Sequence, residues 1–163
     1  MSTAERERAA HCPRMVLAER VPEVYRALVR LDAAAQQGVD ATLRYLVKVR
    51  VSQVNGCAFC VDMHSKDALA NGESVERLMQ LTVWKESRHF YTEREVAAIE
   101  LAEAMTRLTE GPVSDEVYGN AAKLFGETEL ARLISVITVI NAWNRIGVTT
   151  RMVAGTYLPE DAG

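Results

Sequence analysis

Apolar residues recur every three or four positions through most of this chain, and that recurrence divides it into helices. Pro22 suits a first helical turn, Val24, Leu28 and Leu31 follow at helical spacing, and this helix is expected to stop near Gly38. Leu43, Leu46, Val47, Val51 and Val54 make a second helical stripe. Within it, "VKVRVSQV" (residues 47 to 54) also alternates as a half-buried strand does; helix is favoured because the helical template extends further upstream. After an Asn55-Gly56 turn a third helix is expected from Cys57 to about Ala70, ended by Asn71-Gly72. Short helices fit "SVERLMQL" and the segment around Trp84. Thr92 and Glu95 read as a capping box opening a helix through Val96, Ile99, Ala102 and Leu108 to about Glu110, and Ser114 begins another. From Glu127 to about Ala154, Leu130, Leu133, Ile134, Ile137, Ile140, Trp143 and Ile146 are joined by Val136 and Val139 on the other side. A helix apolar most of the way round needs cover on several faces, from its own domain or from another subunit, so an oligomer is expected.

At 163 residues, nearly half of them apolar, the chain suits one domain with a real core. Residues 1–14 are expected to form a loose arm and 15–163 the domain. The 19 basic and 22 acidic side chains give a net charge of −3 without a basic stripe, which argues against nucleic acid as a partner. "MSTAERERAA" is charged where a signal peptide needs an apolar run, and no segment reaches the roughly 20 apolar residues of a membrane span, so a cytoplasmic protein off the membrane is expected. In that compartment Cys12, Cys57 and Cys60 are a poor structural disulfide framework, and any bridge is expected to be made and broken in use.

The chemistry concentrates in "NGCAFCVDMH", residues 55 to 64. On a helix at about 100° per residue, Cys57, Cys60 and His64 fall within a sector of about 60°, so both sulfurs and the imidazole share one face. Asn55 and Gly56 put the cysteines in the first turn, where free N–H groups and the helix dipole favour a thiolate, and His64 can take the proton of Cys60 one turn away. A thiolate attacking a hydroperoxide becomes a sulfenic acid, which a second thiol condenses to a disulfide. The same pair could serve only thiol–disulfide exchange. Two further readings stay open: three ligands of a zinc site that lacks a fourth, and two inert buried thiols beside an unrelated histidine. A strand leading into Cys-x-x-Cys would instead be the thioredoxin pattern. Cys12 reads as incidental, Asp67 as a solvated charge with ring orientation as its alternative, His89 as a loop residue, and Lys48 and Arg50 as a charge pattern on a helix face.

"LVKVRVSQVNGCAFCVDMHSKDA", with "WKES" (84 to 87), "TEREVAAIELAEAMTRL" (92 to 108) and "INAWNR" (140 to 145), resembles the AhpD-like alkylhydroperoxidases of the carboxymuconolactone decarboxylase superfamily. The likeness runs through most of residues 13 to 150. It implies an all-α domain that assembles through its helices into a homotrimer or homohexamer, and it decides residues 47 to 54 in favour of helix. It also implies roles: Cys60 meets the peroxide, Cys57 resolves, and His64 relays the proton, without cofactor or metal. Such proteins carry a glutamate twelve residues before the first cysteine, where this chain has Tyr45. A neutral phenol can donate a hydrogen bond but cannot hold an imidazolium as a carboxylate does. Tyr45 is accordingly expected as a catalytic residue that donates to the relay in a modified mechanism, its alternatives being weaker activity, chemistry moved elsewhere, or an aromatic that only packs on its helix. The expected function is therefore a thiol peroxidase with a hydroperoxide substrate and an external thiol or disulfide reductant. Its alternatives are a non-peroxidatic dithiol/disulfide reductase, a non-catalytic helical oligomer whose site has decayed, and a lactone-processing decarboxylase, disfavoured because such relatives do not need the cysteine pair.

Overall fold

The computed structural model describes residues 12–159, and among these every regular element is helical. Eight α-helices follow in order: α1 Leu17–Arg20, α2 Pro22–Gln36, α3 Ala41–Val54, α4 Ala58–Ala70, α5 Val75–Gln80, α6 Glu93–Thr106, α7 Asp115–Leu124 and α8 Glu127–Thr150. Two 3₁₀ turns, Leu81–Val83 and Arg88–Phe90, join α5 to α6. The starts follow from capping chemistry: Asp40, Ser74, Thr92 and Ser114 each accept a hydrogen bond from a backbone N–H three residues on, and Thr92 and Glu95 complete a capping box. Two ends fall short of the sequence expectation. Helix α6 stops at Thr106, not Glu110, leaving Leu108 exposed, and α8 stops at Thr150, where Arg151 turns left-handed at φ 57°. The arm expected over 1–14 lies mostly outside the described residues. Its last member, Arg14, is fastened to the end of α8 through N–H to Thr150 O at 2.8 Å and Nη1 to Thr149 O at 3.1 Å.

Helix α3 is the axis of the fold, packed against α4, α6 and α8. Every residue from Leu46 to Ser52 is buried, which explains the strand-like alternation in the sequence. Lys48 and Arg50 do not alternate outwards to water; they are buried between the valines and paired with carboxylates from other helices. Lys48 Nζ lies 3.0 Å from Asp32 Oδ1, and Arg50 Nε donates to Glu103 Oε1 at 2.7 Å. Helix α8 packs on α2, α3, α4, α6 and α7, so most of its apolar circumference is covered within the chain. On α2 the inward face is Leu28, Asp32 and Ala35, whereas Val24 and Leu31 are 53% and 52% exposed. A charged residue thus occupies the buried side of α2, and two members of its sequence stripe face outwards.

Glu103 pairs with Arg50 on the other side of α3 from Asp32. Its carboxylate accepts from Arg50 and from Trp84 Nε1 at 2.8 Å, with Lys85 Nζ 3.4 Å away. Burial alone would raise its pKa, but the bonds from Trp84 and Arg50 and the charges of Arg50 and Lys85 outweigh it and hold the group below its ordinary 4.5. A carboxylate depressed in the folded state stabilises fully above its unfolded pKa and loses that contribution as pH falls through the folded value. Melting temperature is therefore expected to drop on acidification below about pH 4.5, and to drop less in Glu103→Gln. At pH 7 that variant leaves Arg50 buried without its counter-ion and should lose about 3 kcal/mol in urea unfolding. A loss under about 1 kcal/mol, or an unchanged acid limb, would show that the pair is not what holds α3 to α6.

Candidate active site

The Asn55-Gly56 corner delivers the two cysteines. Gly56 adopts φ +66°, which a β-carbon would strain, and Cys57 N–H then donates back to Ser52 O at 3.0 Å. Cys57 is the N-cap of α4 and Cys60 lies in its first turn. Their Sγ atoms are bonded, with the α-carbons 5.3 Å apart. The corner is tied to α8 by amides: Asn55 Nδ2 donates to Asn141 Oδ1 at 3.0 Å and to Asn144 Oδ1 at 2.9 Å, and Asn144 Nδ2 donates to Ser52 Oγ at 3.0 Å. Asn144 is fully buried, so these bonds form in a poorly screened interior and fix the corner firmly. One turn further along α8 stands Gly147, where an added Cβ would lie 2.8 Å from Cys57 Sγ. The absence of a side chain at that position lets α8 close over the sulfur pair.

Cys60 and His64 border one cavity of about 350 Å³. Its walls are mostly apolar, from Tyr25 and Val29 on α2, Phe59 and Met63 on α4, Trp143 on α8 and Met152 beyond it; Asp32 and Tyr157 complete the polar side. Cys57 lies behind Cys60, against Gly147, and does not line this space. A larger depression of about 490 Å³ between Tyr91, Glu100 and Lys123 opens to solvent and contains neither sulfur nor imidazole.

His64 is almost fully buried, its Nδ1 3.6 Å from Asp67 Oδ2, longer than a hydrogen bond but within electrostatic reach. Its pKa is lowered: burial disfavours the charged ring, the ammonium of Lys48 adds to that, and Asp67 and Asp32 oppose it. The ring is accordingly neutral at pH 7 and able to accept a proton. Burial would raise Asp67, but His64 and a 2.6 Å bond from Tyr157 O–H keep its pKa below the ordinary carboxylate value. The segment carrying Tyr157 is strapped to the outer side of α4, with Gly155 N–H donating to Asp62 Oδ2 at 2.9 Å and Lys66 Nζ to Tyr157 O at 3.0 Å.

Of the residues singled out in the sequence, the structure brings Cys57, Cys60 and His64 together and leaves Tyr45 apart. The antiparallel register of α3 and α4 sets Tyr45 opposite Asn71, whose Nδ2 donates to the phenol oxygen at 3.3 Å. That is seven residues beyond His64, about 10 Å along the helix axis. Tyr45 packs against the core around Leu46, Ala68 and Trp84 and does not line the cavity. The α3 residue that reaches the His64 and Asp67 region is Lys48, one turn nearer the corner. Asp67, read in the sequence as a surface charge, is half-buried beside the ring. Asp32, Gly147 and Tyr157 carry no local signal in the sequence, and Asn141 and Asn144 are marked there only by the resemblance of "INAWNR". Cys12 and His89 are exposed and lie outside the site. Among the described residues no group of three or more His, Cys, Asp and Glu side chains is placed to hold a metal ion, and no helix is long and apolar enough to cross a membrane.

Residues 22–104 match the Carboxymuconolactone decarboxylase family, a span that includes both cysteines and His64. The chain is 39% identical over 131 residues to the uncharacterized protein YdfG of Bacillus subtilis, covering 80% of this chain and 88% of YdfG. The crystal structure of a protein of unknown function from Agrobacterium tumefaciens, named as a candidate AhpD antioxidant defence protein, shares 33% identity. It superposes with a TM-score of 0.86 over 90% of this chain and 100% of its own. An uncharacterized peroxidase-related protein from Ralstonia eutropha, described as an alkylhydroperoxidase AhpD core, has the same fold at 18% identity. Its TM-score is 0.75, with 94% and 82% of the two chains covered.

Proposed function

The chain belongs to the carboxymuconolactone decarboxylase family, and from that membership and the geometry around Cys60 we propose that it is a thiol-dependent peroxidase acting on organic hydroperoxides. The observation that carries the reading is one cavity bordered by a first-turn cysteine and a buried, neutral imidazole, with a second cysteine bonded behind the first. In the reduced protein His64 takes the Cys60 proton, and the thiolate attacks the terminal oxygen of R–O–O–H. The O–O bond breaks, Cys60 is oxidised to the sulfenic acid, and the alkoxide leaves as R–OH with the relayed proton. Cys57 then displaces hydroxide from Cys60, giving the disulfide and water. Two electrons from an external dithiol restore the pair.

The walls support an organic substrate over hydrogen peroxide. Tyr25, Phe59, Met63 and Trp143 surround the space in front of Cys60, and a neighbouring cavity of about 280 Å³ shares Tyr25, Phe59 and Met152. Burial of an aromatic or branched R group there lowers the free energy of approach by about 25 cal/mol per Å² of apolar surface covered. A thiol count tests the proposal. The fully reduced chain treated with one equivalent of cumene hydroperoxide should lose two titratable thiols, regain them with dithiothreitol, and react faster than with hydrogen peroxide. Retention of all thiols after that treatment would dispose of the peroxidase reading.

A further inference from the structure

Lys48 is out of place for a structural residue. It sits in the middle of the central helix with its side chain 4% exposed, between Val47 and Val49, which are 0% and 1% exposed. Burying an ammonium costs several kcal/mol even when it is paired, and an apolar side chain of similar volume is usually as stable there. The pairing is itself directed. Lys48 Nζ donates to both oxygens of Asp32, at 3.0 and 3.3 Å, and Asp32 is the only carboxylate among the described residues that line the cavity with Cys60 and His64.

We propose that Lys48, through its ion pair with Asp32, is a positioning residue for the thiol chemistry: it fixes that carboxylate in the cavity wall and sets the field in which His64 accepts the Cys60 proton. The proposal rests on the peroxidase reading for its purpose, though not for its test. The charges that act on His64 come from every element with a titratable group against it. Asp67 belongs to its own helix and is bonded to Tyr157 of the C-terminal segment, Lys48 comes from α3, and Asp32 from α2. Helix α8 contributes only Trp143 to this space. Arg44, one turn before Lys48, adds a second positive charge that acts on the ammonium. Two carboxylates favour the imidazolium, while burial and the ammonium disfavour it, and the balance is a neutral ring. With Lys48 in place the ring is poised to receive a proton and to release it again to the departing alkoxide. Without that cation only burial opposes the two carboxylates, and His64 holds its proton to a higher pH.

The sign makes the test specific. In the reduced full-length chain, the His64 ring proton is followed by NMR across pH, with His64→Gln assigning the resonance. Lys48→Met should move the titration midpoint up by about one pH unit, and Lys48→Arg, which keeps the charge, should leave it near the wild-type value. If Lys48→Met fails to fold, Lys48→Gln carries the same readout. The acid limb of cumene hydroperoxide reduction should move up by the same amount. An unmoved midpoint in a folded Lys48→Met or Lys48→Gln protein would overturn the proposal. So would an equal displacement in Lys48→Arg, since a purely steric effect ignores charge. The NMR titration needs no peroxide, so a displaced midpoint in a chain whose thiols ignore hydroperoxide would refute the peroxidase reading and leave the electrostatic one standing.

Discussion

Cys60→Ser is expected to consume no hydroperoxide, and Cys57→Ser to consume one equivalent and stop at a sulfenic acid. The asymmetry follows from placement: Cys60 borders the cavity, while Cys57 stands behind it against Gly147. A serine hydroxyl is un-ionised at neutral pH and cannot open the O–O bond, so loss of Cys60 removes the first step. Loss of Cys57 removes only the second, and the sulfenic acid accumulates where dimedone can trap it. His64→Ala should slow the first step by about 10²-fold or more near neutral pH, with partial recovery at high pH where the thiol ionises unaided. Cys12→Ser should change nothing, because Cys12 is exposed and outside the site. Stopped-flow rates and mass spectrometry of trapped peptides decide each case. A dimedone adduct on Cys57 in place of Cys60 would reverse the two roles, and an unaltered rate in His64→Ala would exclude the histidine.

Gly147→Ala is expected to shift the dithiol/disulfide equilibrium toward the dithiol. The new Cβ would stand 2.8 Å from Cys57 Sγ and 3.4 Å from Cys60 Sγ. In the reduced chain Cys57 can rotate away from it, but in the disulfide both sulfurs are held in place, so the crowding falls on the oxidised form alone. Overpacking of this kind costs about 1–3 kcal/mol, which for a two-electron couple corresponds to a potential about 20–60 mV more oxidising. Alanine is also favoured over glycine inside a helix by about 1 kcal/mol, so the reduced variant should melt higher than the reduced parent. Titration against dithiothreitol redox buffers gives the potential, and Gly147→Val should extend the shift. A midpoint equal to that of the parent would mean that α8 has room to retreat and that Gly147 does not govern closure of the pair.

Sequence alone determined what lies within a turn or two of itself. Apolar periodicity and the caps at Thr92 and Ser114 gave the helices, because a helix is written in i, i+3 and i+4 relations and in the few residues able to satisfy its free N–H groups. The same locality put Cys57, Cys60 and His64 on one face, since all three belong to two turns of one helix. Residues 47 to 54, ambiguous by periodicity though favoured as helix, are helical, and the ambiguity has a related reason. Their alternation is the mark of a helix buried on all sides whose polar members find partners elsewhere, and periodicity cannot distinguish a lysine facing water from one facing Asp32.

Only the tertiary structure decided which groups surround the sulfurs. Asp32 comes from α2, Lys48 from α3, Gly147 from α8 and Tyr157 from the segment beyond it, each brought in by packing between helices distant in sequence. The register of α3 on α4 was equally invisible. Counting back twelve residues from Cys57 points to Tyr45, but an antiparallel hairpin pairs positions by their distance from the corner. Its geometry placed Tyr45 against Asn71 and put Lys48 near the imidazole. Charge near a buried ring is a matter of ångströms between helices, and those distances are fixed by how side chains fill the space between them, which no single stretch of the chain contains.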